Sequence, residues 1–168
     1  SPNKLNPISV YPCGIFYFFK NYHFLFIIML KYSNTKGYKY TVREDISVKV
    51  SDLDDISIST NHFSIQNNVI TAKSSYSWNG ASGPTWDTPN TMLPSLIHDI
   101  LYQCIGTKQI DKKKRFYADL IFYKLMRERT KTFFGQFRAF YFFCAVRLFG
   151  GFFLENKPEK QDVVLEVK

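Results

Sequence analysis

Between residues 38 and 78, apolar and polar positions alternate with a period of two. The stretches "YKYTV", "ISVKV", "ISIST", "FSIQ" and "VITAKSSYSW" are rich in β-branched and aromatic residues, with "REDI", "SDLDD" and "QNN" between them. Side chains of a strand point to alternate faces, so the pattern predicts short half-buried strands in a small antiparallel sheet of meander type. The loop "NGASGPTWDTPNT" holds two glycines and two prolines and ends the alternation. From Leu93 the apolar spacing turns helical. It predicts helices over 93–105, over 111–128 with Asp111 as N-cap, and over 131–149, closing at Gly150-Gly151. Strands first and helices afterwards define an α+β class: a small antiparallel sheet in the N-terminal half followed by three packed helices.

The two ends read differently from this middle. "CGIFYFFKNYHFLFIIML" is interrupted by Lys20, Asn21 and His23, which leaves only "FLFIIML", too short to span a bilayer. No small-residue cleavage site of a signal peptide follows it. The chain opens on Ser1, whereas "MLKYSNTKGYKYTVRED" from Met29 is ordinary soluble-looking sequence. The expectation is that residues 1–28 are a leader, tag or loosely attached extension and that 29–154 form one α+β domain. Residues 155–168 read as a charged tail whose "DVVLEV" adds an edge strand or hangs free.

Charge narrows the partners. The 22 Lys and Arg against 14 Asp and Glu give a net +8, and removing 1–28 takes away only Lys4 and Lys20, leaving +6. Such a surface suits an anionic partner, either nucleic acid or an anionic phospholipid membrane surface. "KKKR", residues 112–115, with Lys108, Arg127, Arg129 and Lys131, is either a patch for phosphates or a solvated charged turn, and nothing resembles a recognition helix. The last helix, "TFFGQFRAFYFFCAVRLFGGFF", is apolar on most sides yet carries Arg138 and Arg147. It either lays rings into a bilayer surface or buries them, with the arginines pairing loop acids such as Asp87. Burial is the preferred expectation, because so small a sheet needs a large cover. Cys13, Cys104 and Cys144 have no metal-type spacing and read as buried reduced thiols.

The candidate chemistry lies in "PSLIHDILYQ", residues 94–103. His98 and Tyr102 are four apart, Asp99 and Tyr102 three apart, and Leu96, Ile97, Ile100, Leu101 and Ile105 supply core contacts around them. A buried His or Asp needs a partner. Asp119, in "RFYADLIFYKL", is another carboxylate on an apolar helix, and an antiparallel pair of helices joined by the basic linker brings it alongside His98. A carboxylate on one imidazole nitrogen fixes the tautomer and leaves the other nitrogen to take a proton from water, which is general-base chemistry. Asp99 faces another direction and could offer oxygens to a hard cation with carbonyls of the glycine loop. Calcium suits such a set better than zinc. The alternative is a non-enzymatic accessory protein in which His98, Asp99 and Asp119 form a buried polar network. Ser82 in "GASG" is not a nucleophile elbow, and a metal phosphohydrolase needs more histidines than His62 and His23 add.

"HDILY" followed by "YADLIF" resembles the phospholipase A2 family, above all its prokaryotic and parvoviral-capsid members. By position, the resemblance implies His98 as general base, Asp119 as its orienting acid, Tyr102 as hydrogen-bonding support and Asp99 as a calcium ligand. Backbone oxygens from Asn79, Gly80, Ser82 and Gly83 in "WNGASGP" would complete the ion site, although this loop lacks the family's Gly-x-Gly. The implied activity is calcium-dependent hydrolysis of a phospholipid ester. "WNGAS", "HDILYQ", "ADLIF" and "AVRLFGG", in that order, are similar to an uncharacterised protein family of tailed phages and prophages. That second resemblance implies a phage or viral origin, a virion or infected-cell setting and other phage proteins as partners, and it brings no activity with it.

Overall fold

The computed structural model describes residues 9–16, 25–35, 38–51, 53–81 and 87–156. Among these residues eight strands come first: β1 (Ser9–Phe16), β2 (Leu25–Thr35), β3 (Tyr38–Val42), β4 (Ile46–Lys49), β5 (Ile58–Ser59), β6 (Phe63–Gln66), β7 (Val69–Ala72) and β8 (Ser77–Trp78). Three helices follow: α1 (Pro89–Gly106), α2 (Arg115–Glu128) and α3 (Phe133–Asn156). The α+β class predicted from the pattern is the class observed.

The strands form two antiparallel sheets, in the orders β1-β2-β3-β8 and β4-β7-β6-β5. In the second, β5, β6 and β7 are successive hairpins, while β4 returns to the far side of β7, a Greek-key arrangement rather than a plain meander. Asn67 and Asn68 join β6 to β7 with φ of 49° and 61°, the left-handed pair that a two-residue hairpin of matching twist requires. Asn68 then accepts the Leu53 N–H at 2.7 Å, which draws the crossing segment onto the sheet. "VITAKSSYSW" does not run as one strand. Ser75 takes φ 85°, and β8 crosses to the other sheet, where Trp78 sits opposite Tyr40. This crossing ties the two sheets together.

The stretch before Met29 contributes β1, which pairs residue by residue with β2 from Ser9↔Tyr32 to Phe16↔Leu25. The tail piece "DVVLEV" lies outside the described residues.

The second sheet turns Val48, Ile65, Ile70 and Ala72 into the same core that receives Leu93, Leu96, Ile97 and Ile100 of α1. Each such aliphatic side chain removed from water contributes roughly 1.5–3 kcal/mol, so α1 is held chiefly by its apolar face. Trp78 is fully buried and donates its indole N–H to Ser95 at 3.2 Å, fixing the end of β8 against the first turns of α1. Helix α1 starts at Pro89, before the predicted Leu93, because proline in the first turn has a helix-ready φ and no N–H to satisfy. Thr91 adds a cap by accepting the Thr88 N–H at 2.8 Å. Asp111 caps a short 3-10 turn over Lys112–Lys114, accepting the Lys113 N–H at 2.8 Å, and not α2 itself, which starts later than expected, at Arg115.

Helix α3 corrects one expectation outright, since it continues through Gly150-Gly151 to Asn156. A Cβ on Gly150 would lie 2.5 Å from the Tyr102 hydroxyl oxygen, and one on Gly151 would lie 3.2 Å from Arg115 Nη1. These glycines are points of close approach between helices, not a helix stop.

Candidate functional site

Asp119 lies inside α2 with no solvent exposure. The short connection from α1 to α2 runs the two helices past each other, and His98 Nε2 meets Asp119 Oδ1 at 2.8 Å. The Tyr102 hydroxyl, one turn along α1, donates to the same oxygen at 2.6 Å. The other oxygen, Oδ2, accepts from Arg147 Nη1 of α3 at 2.7 Å. Arg115 closes the group: its Nε donates to the Tyr102 oxygen at 3.1 Å, and its Nη2 donates to the carbonyls of Val146 and Arg147 at 3.0 and 2.6 Å. One carboxylate thus joins α1, α2 and α3.

The His98 ring packs at a tilt against Tyr102 and Phe122, with centroids 4.0 and 5.0 Å away. Bonding of Nε2 to a carboxylate places the proton there and leaves Nδ1 as the acceptor. Nδ1 has no hydrogen-bond partner among the described residues, and the side chain keeps 11% of its surface exposed. The arrangement can hold a neutral imidazole in one tautomer and one orientation.

The electrostatics follow from the same contacts. Burial alone would raise the Asp119 pKa, but the hydrogen bonds from His98, Tyr102 and Arg147 outweigh it and hold the carboxyl below its usual range. Tyr102 moves the opposite way, because burial, and then the adjacent Asp119 charge, both oppose a phenolate. Tyr102 therefore stays a donor.

The chain matches no family model, no curated protein and no solved structure.

The remaining predicted site residues lie on α1 and in the segment between β8 and α1. Asp99 is half-buried on the next position of α1. Asn79 accepts the Lys39 backbone N–H at 3.2 Å through its side chain. Gly80 takes φ +74°, and a Cβ there would lie 2.5 Å from Asp87 Oδ1, so glycine is required on both counts. Asp87 organises this loop: it accepts the Ala81 N–H at 2.8 Å and the Tyr40 hydroxyl at 3.0 Å, and it pairs with Lys39. Ser82 and Gly83 lie outside the described residues. Among the described residues, no group of three or more His, Cys, Asp or Glu side chains suited to a metal occurs.

Two further expectations are corrected. Asp87 was the foreseen partner of the α3 arginines, yet Arg147 pairs with Asp119 and Asp87 with Lys39. The "KKKR" cluster is not one free patch, because Lys114 pairs with Asp55 at 3.2 Å and Arg115 is built into the helix junction. Of the thiols, Cys104 is buried, with its pKa pushed up to about 12 by burial, while Cys144 is half-buried. His62 is half-buried at the start of β6, and His23 lies outside the described residues.

The sequence reading missed Arg115, Arg147 and Gly150. Their signal was present but ambiguous: Arg147 reads as the partner of a loop acid, Arg115 as part of the basic turn, and Gly150-Gly151 as a helix end.

Proposed function

We propose that the chain is a phage or viral hydrolase, phospholipase A2-like in its chemistry, in which His98 activates water for attack on a phospholipid ester. The observation that carries this reading is the 2.8 Å contact of His98 Nε2 with a fully buried Asp119, reinforced by Tyr102 on the same oxygen. Asp119 orients the ring and stabilises the imidazolium formed when Nδ1 takes the proton of the attacking water. As the tetrahedral intermediate collapses, the imidazolium returns that proton to the leaving alkoxide, so that one water and one ester give an acid and an alcohol. Calcium is the ion that the family resemblance names, and the assay is run with and without it.

The test is release of fatty acid from phospholipid vesicles by the purified full chain. Substituting His98→Ala is expected to lower the rate by about 10²–10⁴-fold, the usual contribution of a positioned general base. Tyr102 and Arg147 still donate to Asp119 in this variant, so its melting transition should persist. A wild-type chain with no hydrolysis in either calcium condition sinks the proposal.

A second reading is favoured by a specific observation, the Arg147–Asp119 ion pair together with the Arg115 bonds to the α3 carbonyls. On that reading the chain is a non-enzymatic virion or phage accessory protein, and the polar group fixes three helices. It predicts inactive wild-type protein and stability losses on substitution of Asp119 or Arg147.

A further inference from the structure

Helix α3 shows water a face that a helix of this size normally covers. Phe133 and Phe134 are 80% and 83% exposed, and Phe137, Phe140, Leu148 and Phe152 continue the same stripe. At roughly 100° per residue these six fall within about a third of the helix circumference. No helix among the described residues is long and apolar enough to cross a membrane. An in-plane position on a bilayer surface covers such a stripe without a span.

Charge indicates which surface. From Arg129 to Leu154 the sequence holds Arg129, Lys131, Arg138 and Arg147 and no Asp or Glu. Arg147 is committed to Asp119. Arg129 Nη2 and Arg138 Nε are buried and meet no acceptor. Arg138 also lines a cavity of about 500 Å³ at the start of α3, together with Asn90, Thr130, Thr132 and the rings of Phe134 and Phe137. A cavity lined by an arginine, two threonines and an asparagine at a helix N-terminus suits a phosphate, and the phenylalanines that line it suit acyl chains. A second copy packed face to face would set the same cations against each other with no carboxylate between them.

We propose that the N-terminal half of α3 docks in the plane of an anionic phospholipid bilayer, with Phe133, Phe134, Phe137 and Phe140 entering the headgroup region and a headgroup phosphate seated against Arg138. This docking does not depend on His98 acting as a base, and its test reads binding alone.

The full chain is sedimented with vesicles of phosphatidylcholine and with vesicles of equal parts phosphatidylcholine and phosphatidylglycerol. Stronger binding to the mixed vesicles, weakening as salt is raised, is expected. Phe134→Ser and Phe137→Ser should each weaken it about tenfold, since each ring withdraws apolar area from water. Both positions face solvent, so unchanged melting separates lost docking from lost fold. Arg138→Gln should abolish the preference for phosphatidylglycerol while leaving the weaker binding to phosphatidylcholine. The proposal is overturned by a wild-type chain that stays in solution with both vesicles. Binding that ignores Arg138→Gln overturns it too, as does a wild-type dimer that Phe134→Ser dissolves without any vesicle binding.

Discussion

At Asp119 a carboxylate shut away from solvent receives three donors, and the energy of the site depends on all three being present. Taking a charge out of water costs several kcal/mol, which only matched partners return. Arg147→Met removes the shortest cationic partner of the buried carboxylate and leaves Arg115 Nε at 3.9 Å, so it is expected to cost up to about 3 kcal/mol in urea-denaturation measurements. Adding Asp119→Asn to that variant removes the carboxylate charge, so the double substitution should cost less than the sum of the two. Additive losses would refute the idea that the pair acts as a unit. The His98–Asp119 contact was legible in the sequence because both residues are polar exceptions on apolar helices joined by a short linker. Arg147 was not legible, since it lies 28 residues beyond Asp119 and its pairing is fixed by how α3 crosses α2.

The elements were largely readable from periodicity, and the failures occur where tertiary contact overrides a local rule. A Gly-Gly pair after an arginine is a reasonable helix end, yet α3 needs those glycines so that its backbone can pass Tyr102 and Arg115. Gly150→Ala should accordingly destabilise by about 1–3 kcal/mol, the cost of overpacking a closed site. Gly106 is the control. A Cβ there meets only Leu154 Cδ2 at 3.9 Å, an ordinary contact, so Gly106→Ala should be neutral or stabilising by up to about 1 kcal/mol through the unfolded state. Thermal melts of the two variants decide the matter, and equal effects would mean that the close approach at Gly150 is unimportant. The Greek-key return of β4 to β7 was hidden for a related reason: alternation marks strands but does not say which non-adjacent strands pair. Burial of the α3 rings holds for Phe142, which packs with Phe122, Met126 and Ala139, and fails for Phe133, Phe134, Phe137, Phe140 and Phe152, which stay exposed.

For the whole molecule, the half-buried Glu128 and the buried Asp119 make stability respond to pH in opposite directions. Glu128 is raised above its ordinary 4.5 because burial disfavours its charge. Its folded form holds a proton more tightly than the unfolded chain does, so its contribution is present below 4.5 and is lost as pH rises through the raised value. Asp119 is lowered below its ordinary 3.8, so its contribution is complete above the unfolded value and is lost as pH falls through the lowered one. Acidification from neutral should first return the small penalty at Glu128 and then, further down, remove the stabilisation at Asp119. Glu128→Gln should erase the first change and leave the second. Asp119→Asn should start from a less stable fold and decline less steeply below about pH 4, because the unfolded chain no longer gains a proton that the fold refuses. Urea denaturation across this pH range, compared between each variant and the parent chain, isolates the two groups from every other carboxylate. A parent curve and an Asp119→Asn curve that stay parallel in acid would show that the carboxylate is not held charged by its three donors.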